Sequence, residues 1–198
     1  MLSLKQQILK RTFDITVSFL VLLILILPLI LLLLISRINF GLPGLFIQER
    51  IGKDGKHFNM YKIRTLKGQK NHTIEEIESH QTKWGYWLRK SKLDELPQLF
   101  NVLKGDMSMV GPRPDLPGYA DQLKGNDRLI LKVRPGITGP ATLKYKNEDQ
   151  ILKHKSNPQQ YNDEVIWPDK VQINKEYIQN WTFFTDLKYI YKSVIYFK

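Results

Sequence analysis

Apolar residues are concentrated in one uninterrupted stretch near the start of the chain. The 22 residues between Asp14 and Arg37 carry no charge and read ITVSFLVLLILILPLILLLLIS. Crossing a bilayer takes about 20 apolar residues, so the pattern predicts a membrane-embedded helix. Pro28 lies inside this run, and a proline there removes a backbone donor and tends to kink a helix.

Two arrangements of this helix are open. Lys10 and Arg11 precede the apolar run and Arg37 follows it, so the positive charges give no orientation. A re-entrant helix that bends at Pro28 would keep both basic ends on one face of the membrane. The alternative is an ordinary spanning anchor with a tolerated proline. Asp14 is expected to form an interfacial ion pair with Arg11.

Residues 46–65 have the pattern of a β-hairpin. Asp54-Gly55 provides the turn, and extended residues lie on both sides of it. Lys62 and Arg64 would project side by side from one face of the second strand. The polar residues 67–83 are expected to form a surface excursion.

A helical pattern follows. Apolar residues recur at steps of three and four between Leu96 and Leu103, which predicts a helix. Pro97 is acceptable only in a first turn, so this helix is expected to begin near Asp94 or Glu95. Its free backbone donors would then point at Asp94, which favours a carboxylate or a phosphate there. The alternative is that the two acids merely cap the helix.

Composition narrows the chemistry. The absence of cysteine excludes disulfides, thiolate metal sites and a cysteine nucleophile. The four histidines are scattered without the spacing of a zinc site. The formal charge of +11 is compatible with nucleic acid, anionic lipid or phosphorylated substrates as partners.

Several cations are candidates for binding phosphate. Two prolines fix the backbone around Arg113, and Arg134 likewise precedes a Pro-Gly turn. An arginine held in this way presents a rigid fork to phosphate. Lys62, Arg64 and Arg89 are further candidates for binding phosphate. The alternative is that these side chains belong to solvated turns and surfaces.

One long motif resembles a known family. The block LRKSKLDELPQLFNVLKGDMSMVGPRP, with YKIRTL before it and VRPGITG after it, resembles the bacterial sugar transferase family. Its monotopic members are polyprenyl-phosphate phosphoglycosyl transferases, and the chain looks like their minimal form. The resemblance covers nearly the whole chain. In the family the embedded helix is re-entrant and broken at a Ser-Pro pair, so the resemblance implies a re-entrant helix here, with Leu27-Pro28 in place of Ser-Pro. The residues after the GITG segment depart from the commoner pattern, so the resemblance says least about the donor sugar.

The resemblance implies a reaction. A UDP-sugar donates its sugar-1-phosphate to polyprenyl (undecaprenyl) phosphate, UMP leaves, and a polyprenyl-diphospho-sugar forms as the first membrane step of a bacterial surface glycan. Asp94 is implied as the nucleophile that forms an acyl-phosphate intermediate, and Glu95 as the group that assists proton transfer from the acceptor. A Mg²⁺ ion held by Asp94 and the diphosphate is implied as well.

The expected architecture is an α+β fold that is mainly helical. Residues 1–38 would form the embedded helix with its basic flank, and residues 39–198 a small catalytic domain on the cytoplasmic face of the bacterial inner membrane. Aromatic and basic residues from Tyr177 onwards indicate amphipathic helices at the membrane interface. The expected partners are the UDP-sugar, polyprenyl phosphate, membrane lipid and downstream glycosyltransferases, without nucleic acid.

Two other functions fit parts of the sequence. A membrane-anchored basic protein could bind anionic lipid or nucleic acid through charge alone, and would not need Asp94 or Glu95. A phosphohydrolase could use the same aspartate to cleave nucleotide-sugars or lipid diphosphates.

Overall fold

The structure is a computed structural model, and it describes residues 2–68 and 80–196. The predicted excursion over 67–83 therefore lies mostly outside the described residues. The described part is mainly helical with two small sheets, which confirms the expected α+β class. The helices are α1 (Leu4–Phe40), α2 (Lys83–Lys90), α3 (Gln98–Lys104), α4 (Pro140–Lys144), α5 (Glu148–Lys153), α6 (Pro158–Tyr161), α7 (Trp167–Gln179) and α8 (Phe183–Tyr196). The strands are β1 (Leu45–Ile51), β2 (His57–Ile63), β3 (Ser108–Val110) and β4 (Gly136–Thr138).

The apolar segment forms a single helix. Ser3 begins α1 with a capping box that it shares with Gln6, and Gly41 ends it in the left-handed conformation (φ 65°). The helix continues through Pro28. Within residues 2–68 and 80–196, α1 is the one helix long and apolar enough to cross a membrane. Large apolar side chains such as Ile24 and Leu27 are exposed along its outer side.

The other side of α1 packs along the rest of the protein. Its buried residues follow one another at steps of four and seven: Lys10, Asp14, Ser18, Leu22, Leu29 and Ser36. Near the start of the helix, Met109 N donates to Asp14 Oδ1 (2.9 Å). Near its end, Trp84 Nε1 donates to Ser36 Oγ (2.8 Å). Both ends of α1 therefore contact residues of the remainder of the chain.

The polar residues at the start of α1 serve this packing. The expected ion pair between Asp14 and Arg11 is wrong, because Arg11 donates to the carbonyls of Val102 (2.6 Å) and Leu103 (2.9 Å). These carbonyls lie in the last turn of α3, where helices leave acceptors unsatisfied. Lys10 forms a buried ion pair with Asp186 of α8 (2.5 Å). A charge inside an otherwise apolar helix is therefore directed towards protein and away from lipid.

The two sheets fix the loops around the carboxylates. β1 and β2 form the predicted antiparallel hairpin, in which Phe46 pairs with Lys62. β3 and β4 form a short parallel pair, which the sequence pattern does not predict. The apolar core consists of several clusters, one of which joins Leu29 of α1 to Leu88 and Leu99. This cluster fixes the two helices that flank Asp94 and Glu95.

Candidate active site

Asp94 and Glu95 lie in a short turn between α2 and α3. Lys92 adopts the left-handed conformation (φ 56°), and a 3₁₀ turn then covers Leu93–Glu95. The predicted helix start near Asp94 or Glu95 is wrong by three or four positions, because Pro97 caps α3 and the helix begins at Gln98. Both carboxylates are nearly enclosed, since Asp94 is 7% and Glu95 9% exposed.

Asp94 has an oxygen without a partner. Its Oδ1 is buried and accepts no hydrogen bond from the described residues, so the predicted bonds from free backbone donors do not form. Burial raises the pKa of Asp94 to about 6, and the charge of Glu95 acts in the same direction. The positive charges of Lys62, Lys92 and Arg89 oppose this rise in pKa. Asp94 is thus an enclosed carboxylate surrounded by cations, with free capacity to bind or to attack.

Glu95 is held by Arg113. The guanidinium donates from Nη2 to Glu95 Oε1 (2.7 Å) and from Nη1 to Oε2 (3.4 Å), which is a two-pronged pair. Burial alone would raise the pKa of Glu95, but Arg113 and Lys62 outweigh it and hold the pKa well below its usual range. The pair likewise raises the pKa of Arg113. Glu95 is therefore ionised throughout the physiological range.

The loop that carries Arg113 packs closely on the loop after Arg134. Gly136 N donates to Pro112 O (2.8 Å), and Gly111 N donates to Thr138 O (2.9 Å). A Cβ added to Gly136 or Gly139 would overlap the backbone of Gly111. This approach of two backbones requires glycine, and it fixes the position from which Arg113 reaches Glu95.

Lys62 is the second fixed cation of the site. Burial lowers its pKa to about 8, while the charge of Glu95 acts in the opposite direction. The strand that carries it is held by Asn101 of α3, whose Oδ1 accepts from Tyr61 N (3.0 Å) and whose Nδ2 donates to Asn59 O (2.7 Å). Asn101 is fully buried and so connects the strand of Lys62 to the helix after Glu95.

The other predicted cations occupy different places. Arg89 acts on Asp94 through its charge and also approaches Asp149 (3.6 Å). Arg64 donates to the carbonyls of Pro43 (2.9 Å) and Gly68 (2.8 Å), away from Lys62. Arg134 donates to Gly105 O (2.8 Å) at the far end of α3. The structure therefore brings Lys62, Arg89 and Arg113 to the carboxylates and places Arg64 and Arg134 elsewhere.

Two further residues border Arg113, and the sequence pattern does not single them out. Arg50 donates to Pro114 O (3.2 Å), and burial lowers its pKa to about 10. Burial also raises the pKa of Asp115 to about 6, against the nearby charges of Lys170, Arg50 and Arg113. Two sequence signals could have identified these residues. Arg50 lies on the less exposed face of β1, where burial alternates from residue to residue, and Asp115 directly follows the proline-flanked Arg113.

The site has limited capacity for a metal ion. In residues 2–68 and 80–196, no group of three acidic or histidine side chains is arranged to hold one. The unpartnered Oδ1 of Asp94 can supply one ligand. Mg²⁺ commonly binds through one or two carboxylates together with substrate phosphates, so these residues fit an ion that arrives with a diphosphate.

Comparisons with known proteins identify the family of this chain. Residues 5–197 match the family described as Bacterial sugar transferase. An uncharacterized sugar transferase of Bacillus subtilis (strain 168) is 35% identical over 189 residues, which cover 94% of this chain and 86% of that protein.

Two relatives carry names that specify a reaction. The UDP-glucose:undecaprenyl-phosphate glucose-1-phosphate transferase of Escherichia coli (strain K12) is 33% identical over 95% of this chain and 40% of its own length. The undecaprenyl-phosphate galactose phosphotransferase of Salmonella typhimurium is 31% identical over 93% of this chain and 39% of its own length. This chain thus spans about two fifths of each of these two relatives. The match over residues 5–197 and the relatives at this identity place the chain in the bacterial sugar transferase family.

Proposed function

We propose that this protein transfers sugar-1-phosphate from a UDP-sugar to undecaprenyl phosphate, releasing UMP and initiating the synthesis of a bacterial polysaccharide. The observation that carries the proposal is Asp94, whose buried Oδ1 has no partner in the described part of the chain and lies among cations. The names of the Escherichia coli and Salmonella typhimurium relatives supply the donor and acceptor classes.

In the first step, an ionised oxygen of Asp94 attacks the phosphorus that bears the sugar. The bond from that phosphorus to the bridging oxygen breaks, UMP leaves, and an acyl phosphate forms on Asp94. A carboxylate and a diphosphate repel each other, so nearby cations must offset the charge. Lys62 and Arg89 act on Asp94 in this way before the donor arrives, which is preorganised electrostatic stabilisation.

In the second step, a phosphate oxygen of the lipid acceptor attacks the same phosphorus, and Asp94 leaves as a carboxylate. Dividing the transfer into two displacements suits a soluble donor and a lipid acceptor that need not bind together. The raised pKa of Asp94 makes its carboxylate more nucleophilic while it remains mostly ionised at neutral pH.

Arg113 is suited to exchange between two anions. Its fork holds Glu95, and a carboxylate paired in this way is a weak base. A donor phosphate offers Arg113 an equivalent two-pronged partner. Release of Glu95 would raise its pKa and allow it to accept a proton from the acceptor phosphate. When bound, Mg²⁺ would be held by Asp94 and would add positive charge beside the diphosphate.

The membrane arrangement supports a re-entrant α1. Ser18 and Ser36 lie near opposite ends of the apolar run, and both are buried against the catalytic domain. A helix with both ends on one domain keeps both basic flanks on one membrane face, which for this reaction is the cytoplasmic face of the inner membrane. α8 presents a further exposed apolar row at helical spacing, formed by Phe184, Leu187, Tyr191, Val194 and Ile195.

The test is UMP release by the detergent-purified protein with Mg²⁺ and a panel of UDP-sugars, with and without undecaprenyl phosphate. We expect sustained release with at least one donor, only with the lipid present, and none from Asp94→Asn. Free sugar phosphate as the product would instead indicate a phosphohydrolase. Normal turnover by Asp94→Asn would refute the proposal.

A further inference from the structure

A second group of cations lies where the first turns of α1 meet the loops of the catalytic domain. A small cavity of about 40 Å³ is lined there by five basic side chains: Lys10, Arg11, Lys53, Lys132 and Arg134. Asp14 is the one acidic side chain in this lining, all of which belongs to the described part of the chain. We call this the α1 cavity.

The positive charge of the α1 cavity is only partly balanced. Lys10 pairs with Asp186 (2.5 Å), and Lys132 pairs with Asp54 (3.2 Å) at an exposed position. Arg11 and Arg134 donate to backbone carbonyls at the end of α3, which satisfy hydrogen bonds without cancelling charge. The cavity therefore retains an excess of positive charge that suits an anion.

Lys10, Arg11 and Asp14 of the α1 cavity belong to the first turns of α1, which also carry exposed apolar residues. The uncharged run begins at Ile15, so Lys10 and Arg11 stand at the level where lipid headgroups lie. Ile8 and Ile15 are exposed, at 58% and 42%. Ile8 lies three residues before Arg11, and Ile15 lies four residues after it. Residues at these spacings are neighbours on the surface of a helix. A molecule with a phosphate and apolar chains could contact both surfaces together.

This cavity is separate from the site of Asp94. The cations that act on Asp94 are Lys62, Lys92 and Arg89, none of which lines the α1 cavity. Asp94 precedes α3, whereas Arg11 and Arg134 contact its last turn. The seven residues of α3 lie between the two groups.

We propose that the α1 cavity binds the phosphodiester headgroup of an anionic phospholipid, whose acyl chains lie along Ile8 and Ile15. Arg11 and Arg134 provide planar donors for the phosphate oxygens, and Lys53 and Lys132 add charge at the mouth. The bound lipid would fasten the start of α1 to the catalytic domain, because Arg11 comes from the helix and Arg134 from the domain.

The test uses the full chain in uncharged detergent and measures its melting temperature with added phosphatidylglycerol, phosphatidylcholine or inorganic phosphate. Phosphatidylglycerol is expected to raise the melting temperature by about 3 °C or more through binding to the folded state, and the other two additives by less than 1 °C. The double variant Lys53→Gln/Lys132→Gln is expected to lose most of this rise. Its melting temperature without lipid should stay close to that of the wild type, because exposed ion pairs contribute little.

The matched control is Lys56→Gln/Lys124→Gln, which removes the same charge from exposed positions outside the cavity. It should keep the full response to phosphatidylglycerol. An equal response in both double variants would mean that the lipid acts through general charge, and would overturn the proposal. A response to inorganic phosphate as large as that to phosphatidylglycerol would also overturn it, because the site would then bind a free anion.

Discussion

Replacing Asp94 with asparagine should abolish transfer and at the same time stabilise the protein. Burial, followed by the charge of Glu95, raises the pKa of Asp94 from its ordinary value of 3.8 to about 6. The folded protein therefore disfavours the ionised form relative to the unfolded chain. One pKa unit corresponds to about 1.4 kcal/mol, so ionised Asp94 lowers the free energy of unfolding by about 3 kcal/mol at pH 8.

The sign of this effect depends on pH. As the pH rises from 4, the unfolded chain loses the Asp94 proton before the folded protein does. Protonated Asp94 therefore does not lower the free energy of unfolding at low pH. The free energy of unfolding falls as the pH rises through about 6, because Asp94 then ionises in the folded protein as well. Asparagine has no such proton, so Asp94→Asn should gain stability at pH 8 and not at pH 4.

The assay is the melting temperature of the detergent-purified protein at both pH values. For a chain of this size, 3 kcal/mol corresponds to a rise of about 6–12 °C at pH 8. Asp149→Asn is the control, because it makes the same chemical change at a side chain that is 69% exposed. A melting temperature of Asp94→Asn at pH 8 equal to or below that of the wild type would refute the reasoning, as would an equal gain at both pH values.

Three other outcomes follow from the geometry. The value of kcat/KM for UMP release should fall about tenfold per pH unit below pH 6, because Asp94 must be ionised to attack, and a flat profile down to pH 4.5 would contradict this role. Lys10→Met should destabilise the protein by about 3 kcal/mol or more by leaving Asp186 buried and unpaired, and adding Asp186→Leu should restore part of the lost melting temperature. Asn101→Ala should cost about 2–4 kcal/mol by leaving backbone groups of β2 unpaired, and should lower kcat; an unchanged melting temperature would show that Asn101 does not hold this strand.

The hairpin was predictable because its signals are local. Asp54-Gly55 and the alternating residues around it specify the turn and the register. The start of α3 was not predictable from such signals. It follows a left-handed Lys92 and a 3₁₀ turn at Leu93–Glu95, between two helices whose Leu88 and Leu99 pack in one cluster. Propensity alone cannot anticipate a conformation that tertiary contacts determine.

The sequence also could not distinguish the two proline-flanked arginines. Arg113 and Arg134 have similar local patterns, but the parallel pairing of β3 with β4 directs Arg113 to Glu95 and Arg134 to Gly105. A long-range pairing of two three-residue strands leaves little trace in the pattern of polar and apolar residues. The packing of α1 against the rest of the protein is visible in the sequence pattern. Lys10, Asp14 and Ser18 recur every four residues and form a polar face on an apolar helix.

The most direct test of the central claim is to identify the covalent intermediate. The purified protein would be mixed with its UDP-sugar and Mg²⁺ without undecaprenyl phosphate, quenched in acid, and examined by intact-protein and peptide mass spectrometry. We predict a mass increase of one sugar phosphate on the peptide that contains Asp94, and its disappearance when the lipid acceptor is added. Sustained transfer to lipid with the adduct on another residue, or with Asp94→Asn still active, would contradict the account.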